Sequence, residues 1–307
     1  MPDGLYLPEV VVEHEFGHQY WYGMVATNEF EDAWMDEGIN SYTEVKVLDS
    51  ILGKNTSILN MAGATAGERE EQRLSYIGVA DRDAMAQKAY DYYSFNSYGG
   101  ITYGKTASVL LTLESVIGED AMAKAMHAYF MKYRFTHPTK EDFLKTIEEV
   151  SGKDLRWYFN QAVYGSQVMD YEVLKVDSFP VNWFVDQKQR KAEKKDKGKD
   201  DTLYQSYVTV HRKDDFVMPV DVEVKFDNGE KIREHWDGQS RWTRFSYQKR
   251  AKVVSVELDP GHTVQIDRND FDSSFVVEPN AKPTNKLSNY WVFVTQWIGQ
   301  ALAWWAV

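Results

Sequence analysis

The chain has 307 residues, 43% apolar and 27% charged, with 19 Gly and 8 Pro, a balance that excludes collagen-like, low-complexity and wholly disordered classes. Its 35 Lys and Arg stand against 47 Asp and Glu, a net charge of −12, which argues against nucleic acid as a partner because a phosphate-backbone binder needs a positive face. Cysteine is absent, so disulfides, thiol nucleophiles and cysteine-containing metal sites drop out, and any metal must be held by His, Asp and Glu.

At roughly 100–200 residues per domain the length suits two domains, or one large one with an appendage. The start, MPDGLYLPEVVV, lacks the basic stretch and small-residue cleavage site of a signal peptide; either there is none or the natural start lies upstream. Cysteine-free chains occur in the cytosol and outside it, so the compartment stays open.

The first 170 residues read mainly as helix. Pro8 suits a first helical position, and Val10, Val11, His14, His18 and Trp21 recur at spacings of three and four, one face of a helix. Further helical patterns run from about Asp36 to Leu52, Thr106 to Val116 and Ala121 to Tyr133. Thr139 then caps a helix with an acidic first turn that runs to Val150, before Ser151-Gly152 stops it. Past Tyr171 the period falls towards 2 in Tyr207–Val210, Val220–Phe226 and Val253–Leu258, with turns at Asp227-Asn228-Gly229, Asp237-Gly238 and Asp259-Pro260-Gly261. The pattern predicts an α+β protein: helix over 1–170, a small antiparallel β-sandwich over 171–275, and a linker with a C-terminal hydrophobic helix over 276–307. Residues 188–201 form a charge run expected to be a solvated loop between strands. From Tyr290 to Val307 there is no charged residue, and Trp291, Trp297, Trp304 and Trp305 fall there. Two readings stand for this segment: an amphipathic helix docked on the body, or contact with a membrane surface or a partial span.

His14-Glu15-Phe16-Gly17-His18 places two imidazoles one turn apart on one helix face, suited to two corners of a zinc tetrahedron, with Glu15 beside them to take a proton from a metal-bound water. After an 18-residue gap, Trp34-Met35-Asp36-Glu37-Gly38 can return Glu37 as a third ligand. His14, His18 and Glu37 leave a fourth position open for water, which points to catalysis rather than a closed structural site. Asp36 could orient a ligand histidine or cap a helix, and Glu44, seven residues past Glu37, lies on a similar face. His127, His137, His211, His235 and His262 lack ligand spacing and read as structural or exposed.

The run His14 to Trp21, with Trp34 to Gly38, resembles the zinc signature of the gluzincin aminopeptidases, the family of membrane alanyl aminopeptidase and leukotriene hydrolase. Ile101 to Leu111 resembles the family's Tyr–x–Lys–Gly–Ala stretch, with Thr106 standing where the family has glycine. The resemblance implies the C-terminal part of a thermolysin-like catalytic domain, one Zn2+ ion, peptide substrates, and Tyr103 as donor to the tetrahedral oxyanion, with Tyr98 its nearby competitor. It implies an extracytoplasmic or membrane-associated setting as well. The family's upstream Gly–x–Met–Glu–Asn strand, which anchors the substrate's amino group, has no counterpart among the 13 residues before His14; a start inside a longer gene is expected. The leading expectation is zinc-dependent peptide hydrolysis of aminopeptidase type. The alternatives are a zinc-binding but inactive fragment or peptide-binding module, and a membrane-associated scaffold.

Overall fold

The computed structural model describes residues 3–61, 63–181, 202–279 and 282–305; the charged run 188–201 lies outside them. Helices α1 (Leu7–Gly17), α2 (Glu29–Asp32) and α3 (Glu37–Leu52) lead into a small antiparallel hairpin, β1 (Leu59–Met61) with β2 (Ala64–Ala66). Next come α4 (Glu68–Ile77), α5 (Phe95–Gly99), a π-helical segment (Gly100–Lys105) and α6 (Thr106–Ile117). The layer ends with α7 (Glu119–Tyr133), α8 (Lys140–Ser151) and α9 (Arg156–Ala162). The start of α8 follows its sequence signature: Thr139 Oγ1 accepts the Asp142 amide while the Asp142 carboxylate accepts the Thr139 amide, and Gly152 closes the helix at φ 65°.

Helix α1 departs from expectation. It ends at Gly17 with His18 as its cap, so Trp21 lies beyond it. Val11 of the expected stripe is 59% exposed, and its neighbour Val12 is 67% exposed. The helix is tied down instead at its C-terminal end, where Asn40 Nδ2 of α3 donates to the His14 carbonyl at 2.7 Å.

The second half is antiparallel sheet. One sheet orders β3 (Tyr171–Pro180), β4 (Tyr204–Arg212) and β7 (Trp242–Lys249) as β3-β4-β7. The other orders β5 (Val220–Phe226), β6 (Lys231–Trp236), β8 (Val253–Leu258) and β9 (Ser274–Val276) as β6-β5-β8-β9. The Asp227-Asn228-Gly229 turn joins β5 to β6 with Gly229 at φ 86°. After β8 the left-handed positions fall on Asp259 and His262 rather than on Gly261. Alternation along β5 buries Val220, Val222, Val224 and Phe226. They join one continuous core with Trp34, Ile39, Leu113, Tyr129 and Phe143 of the helical layer. Tyr158 makes the junction: its ring meets Phe216 edge-on at 5.7 Å, and its hydroxyl donates to the Val109 carbonyl at 2.8 Å. The last helix is α10 (Lys282–Trp305), which falls short of the hydrophobic helix expected at this end. Its Trp291, Val292 and Phe293 are 54–65% exposed rather than seated on the body, and no helix among the described residues is long and apolar enough to cross a membrane.

Asp267 locks the strands to α4. Its carboxylate accepts the Asn269 and Tyr171 amides at 2.9 and 3.3 Å, and its carbonyl accepts Arg73 Nε at 2.9 Å. Burial pushes this carboxyl up from 3.8 to about 7. A carboxyl raised on folding stabilises least when ionised, so its contribution is present below the unfolded value and is lost as pH rises through the folded one. Asp267→Asn should therefore flatten the fall in stability between about pH 4 and pH 7, read from denaturant unfolding across that window.

Candidate metal and catalytic site

Two helices build the centre. Helix α1 carries His14 and His18 with their rings edge to face at 4.8 Å, and α3 opens with Glu37 beneath them. His14 Nε2 and His18 Nε2 each lie 3.1 Å from the same atom, Glu37 Oε2. The three potential ligand atoms all fall within 4.8 Å of one another. Close approach of the helices depends on glycine. A Cβ on Gly17 would lie 2.0 Å from Asn40 Oδ1, and one on Gly38 would lie 2.4 Å from both the Thr102 carbonyl oxygen and Thr106 Cβ. Thr106, the departure from the aminopeptidase pattern, thus packs directly on Gly38 while its hydroxyl donates to the Ile101 carbonyl at 3.1 Å.

The opposite ring nitrogens are held from behind. His14 Nδ1 donates to Glu44 Oε2 at 2.7 Å; His18 Nδ1 lies 2.9 Å from Asp36 Oδ1 and 3.2 Å from the Trp21 carbonyl. Asp36 makes no cap hydrogen bond to α3, so of its two expected roles the geometry matches contact with a histidine. With Nδ1 protonated on both rings, both Nε2 lone pairs face a carboxylate oxygen. Three lone-pair donors converging on one point repel unless a cation or a proton lies among them. Two imidazoles and a carboxylate with an open side form a donor set suited to zinc.

Without metal, the same convergence traps a proton. Burial works against charge on His14, but hydrogen bonds to Glu37 and Glu44 outweigh it and push the imidazole up to about 10. Burial likewise pushes Glu37 up, yet hydrogen bonds from His14 and Tyr103 hold it below the ordinary glutamate value. Asp36 rises to about 7, chiefly through burial, against the opposing charge of His18.

Tyr103 sits in the π-helical segment, whose locally widened turn is a recurrent feature of functional sites. Its ring stacks 5.8 Å from that of His14, and its hydroxyl bonds Glu37. Burial, then Glu37, drive this phenol well above its usual value, so it stays a donor. Tyr98 packs edge-on against Tyr92 at 5.4 Å instead. Glu15 is exposed on α1, one residue from His14. The other histidines stay outside the cluster: His211, His235 and His262 pair with Glu172, Asp221 and Glu257, His137 contacts the Ala26 carbonyl, and His127 is exposed. Reading for ligands passed over Asn40 and Glu13. Asn40 carries no metal-ligand signature, although its place one turn past Glu37 on the same face was legible. Glu13 lies beside Glu44, and burial followed by that charge pushes its carboxyl up to about 7.

The glycine contacts give opposite signs at two positions. Gly38→Ala should lower the melting temperature, because overlap costing about 1–3 kcal/mol outweighs the roughly 1 kcal/mol helix-propensity gain. Gly99→Ala, where a Cβ meets nothing within 4 Å, should raise it. Thermal unfolding followed by circular dichroism checks both.

Residues 7–161 match the Peptidase family M1 domain. Over 149 residues the chain is 30% identical to aminopeptidase N of Streptomyces lividans, covering 47% of this chain and 17% of that protein. It is 30% identical over 181 residues to aminopeptidase A of Gloydius brevicauda, covering 54% and 17%. The chain therefore spans about a sixth of the length of these relatives. Among solved structures, Legionella pneumophila aminopeptidase A in complex with aspartic acid shares the fold, with a TM-score of 0.55 at 15% identity over 84% of this chain and 26% of that one. With half of its length matching the domain and the mixed helix and antiparallel sheet in common, the chain belongs to peptidase family M1.

Proposed function

We propose that this chain carries the zinc-dependent centre of a peptide-bond hydrolase, of the aminopeptidase type that removes N-terminal residues. The observation that carries the reading is the convergence of His14 Nε2 and His18 Nε2 on one oxygen of Glu37 at 3.1 Å each. The names of the M1 relatives, aminopeptidases N and A, supply the aminopeptidase direction. In this reading residues 1–170 form the catalytic domain, followed by a sandwich domain over 171–275 and the terminal segment over 276–307.

His14, His18 and Glu37 would hold the ion, with Glu44 and Asp36 orienting the two imidazoles. Bound there, zinc would supply Lewis acidity to a carbonyl and lower the pKa of a water towards about 7. Glu15, free on the solvent side, takes the proton of the attacking water and returns it to the leaving amine. Tyr103 turns its hydroxyl from Glu37 to the oxyanion as the tetrahedral centre forms, and its reluctance to ionise keeps the proton available for that bond.

A second proposal concerns α10. Trp291, Val292 and Phe293 are exposed on a helix whose residues 290–305 carry no charge. An exposed, uncharged segment rich in aromatic residues suits the headgroup layer of a membrane, lying on it rather than across it.

Glu15→Gln should retain zinc by elemental analysis and lose peptide hydrolysis; undiminished turnover would remove Glu15 from the base role. His18→Ala should lose the metal. Tyr103→Phe should lower kcat about 100-fold or more with little change in KM, measured on an aminoacyl reporter. For α10, flotation with lipid vesicles should carry the full chain upward but leave behind protein lacking residues 289–307, and equal flotation of both would end the membrane reading.

A further inference from the structure

The turn that carries Tyr103 is widened, and one side chain bonds across it. Tyr103 lies in the π-helical segment Gly100–Lys105, and its ring stacks on that of His14, with centroids 5.8 Å apart and planes 29° from parallel. Two surfaces grip the segment. On one side α4 lies against glycine backbone: a Cβ on Gly104 would be 2.0 Å from Ser75 Oγ and 2.4 Å from the Gln72 carbonyl oxygen, and one on Gly100 would be 2.7 Å from Val79 Cγ2. On the other side the start of α3 meets it at Gly38, which faces the Thr102 carbonyl and the Thr106 side chain.

The wide turn closes on Ile101. Its carbonyl accepts the Thr106 amide, five residues on, and the Thr106 hydroxyl as well, at 3.1 Å. In an α-helix a threonine hydroxyl bonds back to the carbonyl three or four residues earlier. Here the carbonyl four residues back belongs to Thr102 and faces Gly38. The hydroxyl reaches one residue further and doubles the bond that defines the π-turn. Ile101 and Thr106 are both fully buried, so bulk water does not replace that bond. Relaxing the turn to α-helical spacing would rotate Tyr103 by about 100° around the axis for each residue of register lost, carrying its ring off His14.

We infer that Thr106 is a positioning residue for Tyr103: packing against α3 and α4 widens the turn, and the Thr106 hydroxyl pins it at the width that sets the phenol over His14. The inference rests on the reading of Tyr103 as oxyanion donor above. A threonine that merely filled the space against Gly38 would be replaced equally well by valine, which has the same branched shape and no hydroxyl.

The test compares Thr106→Val, Thr106→Ala and Thr106→Ser in the zinc-loaded full chain, with turnover of an aminoacyl reporter as the first readout. Thr106→Val and Thr106→Ala should lower kcat about 10–100-fold with KM unchanged, the scale of loss that misplacing a catalytic group by up to about 1 Å brings. Thr106→Ser keeps the hydroxyl and should turn over like the parent. Serine and alanine differ by the hydroxyl alone, so that pair gives the same comparison if Thr106→Val does not fold. Added to Tyr103→Phe, Thr106→Ala should cost nothing further. A parent-like kcat in Thr106→Ala, an equal loss in Thr106→Ser, or a full additional loss on top of Tyr103→Phe each overturns the inference. The second readout needs neither metal nor turnover: the NMR ring signals of Tyr103 in the metal-free chain carrying isotope-labelled tyrosine, identified by their loss in Tyr103→Phe. Stacking on His14 shifts these signals, which should move in Thr106→Ala and stay in place in Thr106→Ser. Unmoved signals in Thr106→Ala also overturn the inference. A parent that turns over no reporter while the signals move as expected would instead remove the catalytic reading and leave the placement of Tyr103 by Thr106 intact.

Discussion

The structure turns on how closely α1 can lie on α3. Gly17 leaves room for the Asn40 side chain, which reaches across to the His14 carbonyl at 2.7 Å. Gly38 leaves room for the Thr102 carbonyl and Thr106. These approaches bring two histidine rings and one glutamate to a common point, and they bring the Tyr103 segment against the same helix start. Added side-chain volume at either glycine would press the elements apart, and ligand convergence within 4.8 Å has little slack for that.

Around this seam the chain buries an unusual number of acids. Asp36, Glu44 and Glu68 are each under 5% exposed, in a region where isolated buried charge is costly. Asp36 and Glu44 are tolerated because each is placed against an imidazole that can share or neutralise its charge. The same arrangement explains why the imidazoles are oriented by their Nδ1 atoms and offer Nε2 forward. Acidity behind the site and donor atoms in front of it are two sides of one hydrogen-bonded chain.

Much of the plan is legible in the residues. The four-residue spacing of His14 and His18 needs only the helical period to put both on one face, and the alternation in 220–226 and 253–258 predicts β5 and β8 at their observed limits. The capping box of α8 reads directly from Thr139 and Asp142. Less legible were α1, whose expected stripe overruns the helix at Trp21 and leaves Val11 exposed, and α4 with the hairpin before it, whose short strands carry little pattern. The π-helical turn at Tyr103 has no periodic signature, because it arises from packing between helices rather than from a local preference.

The sequence by itself determined the chemistry available: with no cysteine, metal ligation falls to histidine and carboxylate, and helical geometry pairs His14 with His18. Only the tertiary structure decided which carboxylates serve them. Glu37, Glu44 and Asp36 are separated from their histidines by 18 to 30 positions in the chain. Such contacts depend on the depth at which helices interpenetrate, a quantity set by side-chain volume on both surfaces at once and therefore not carried by any single stretch of residues.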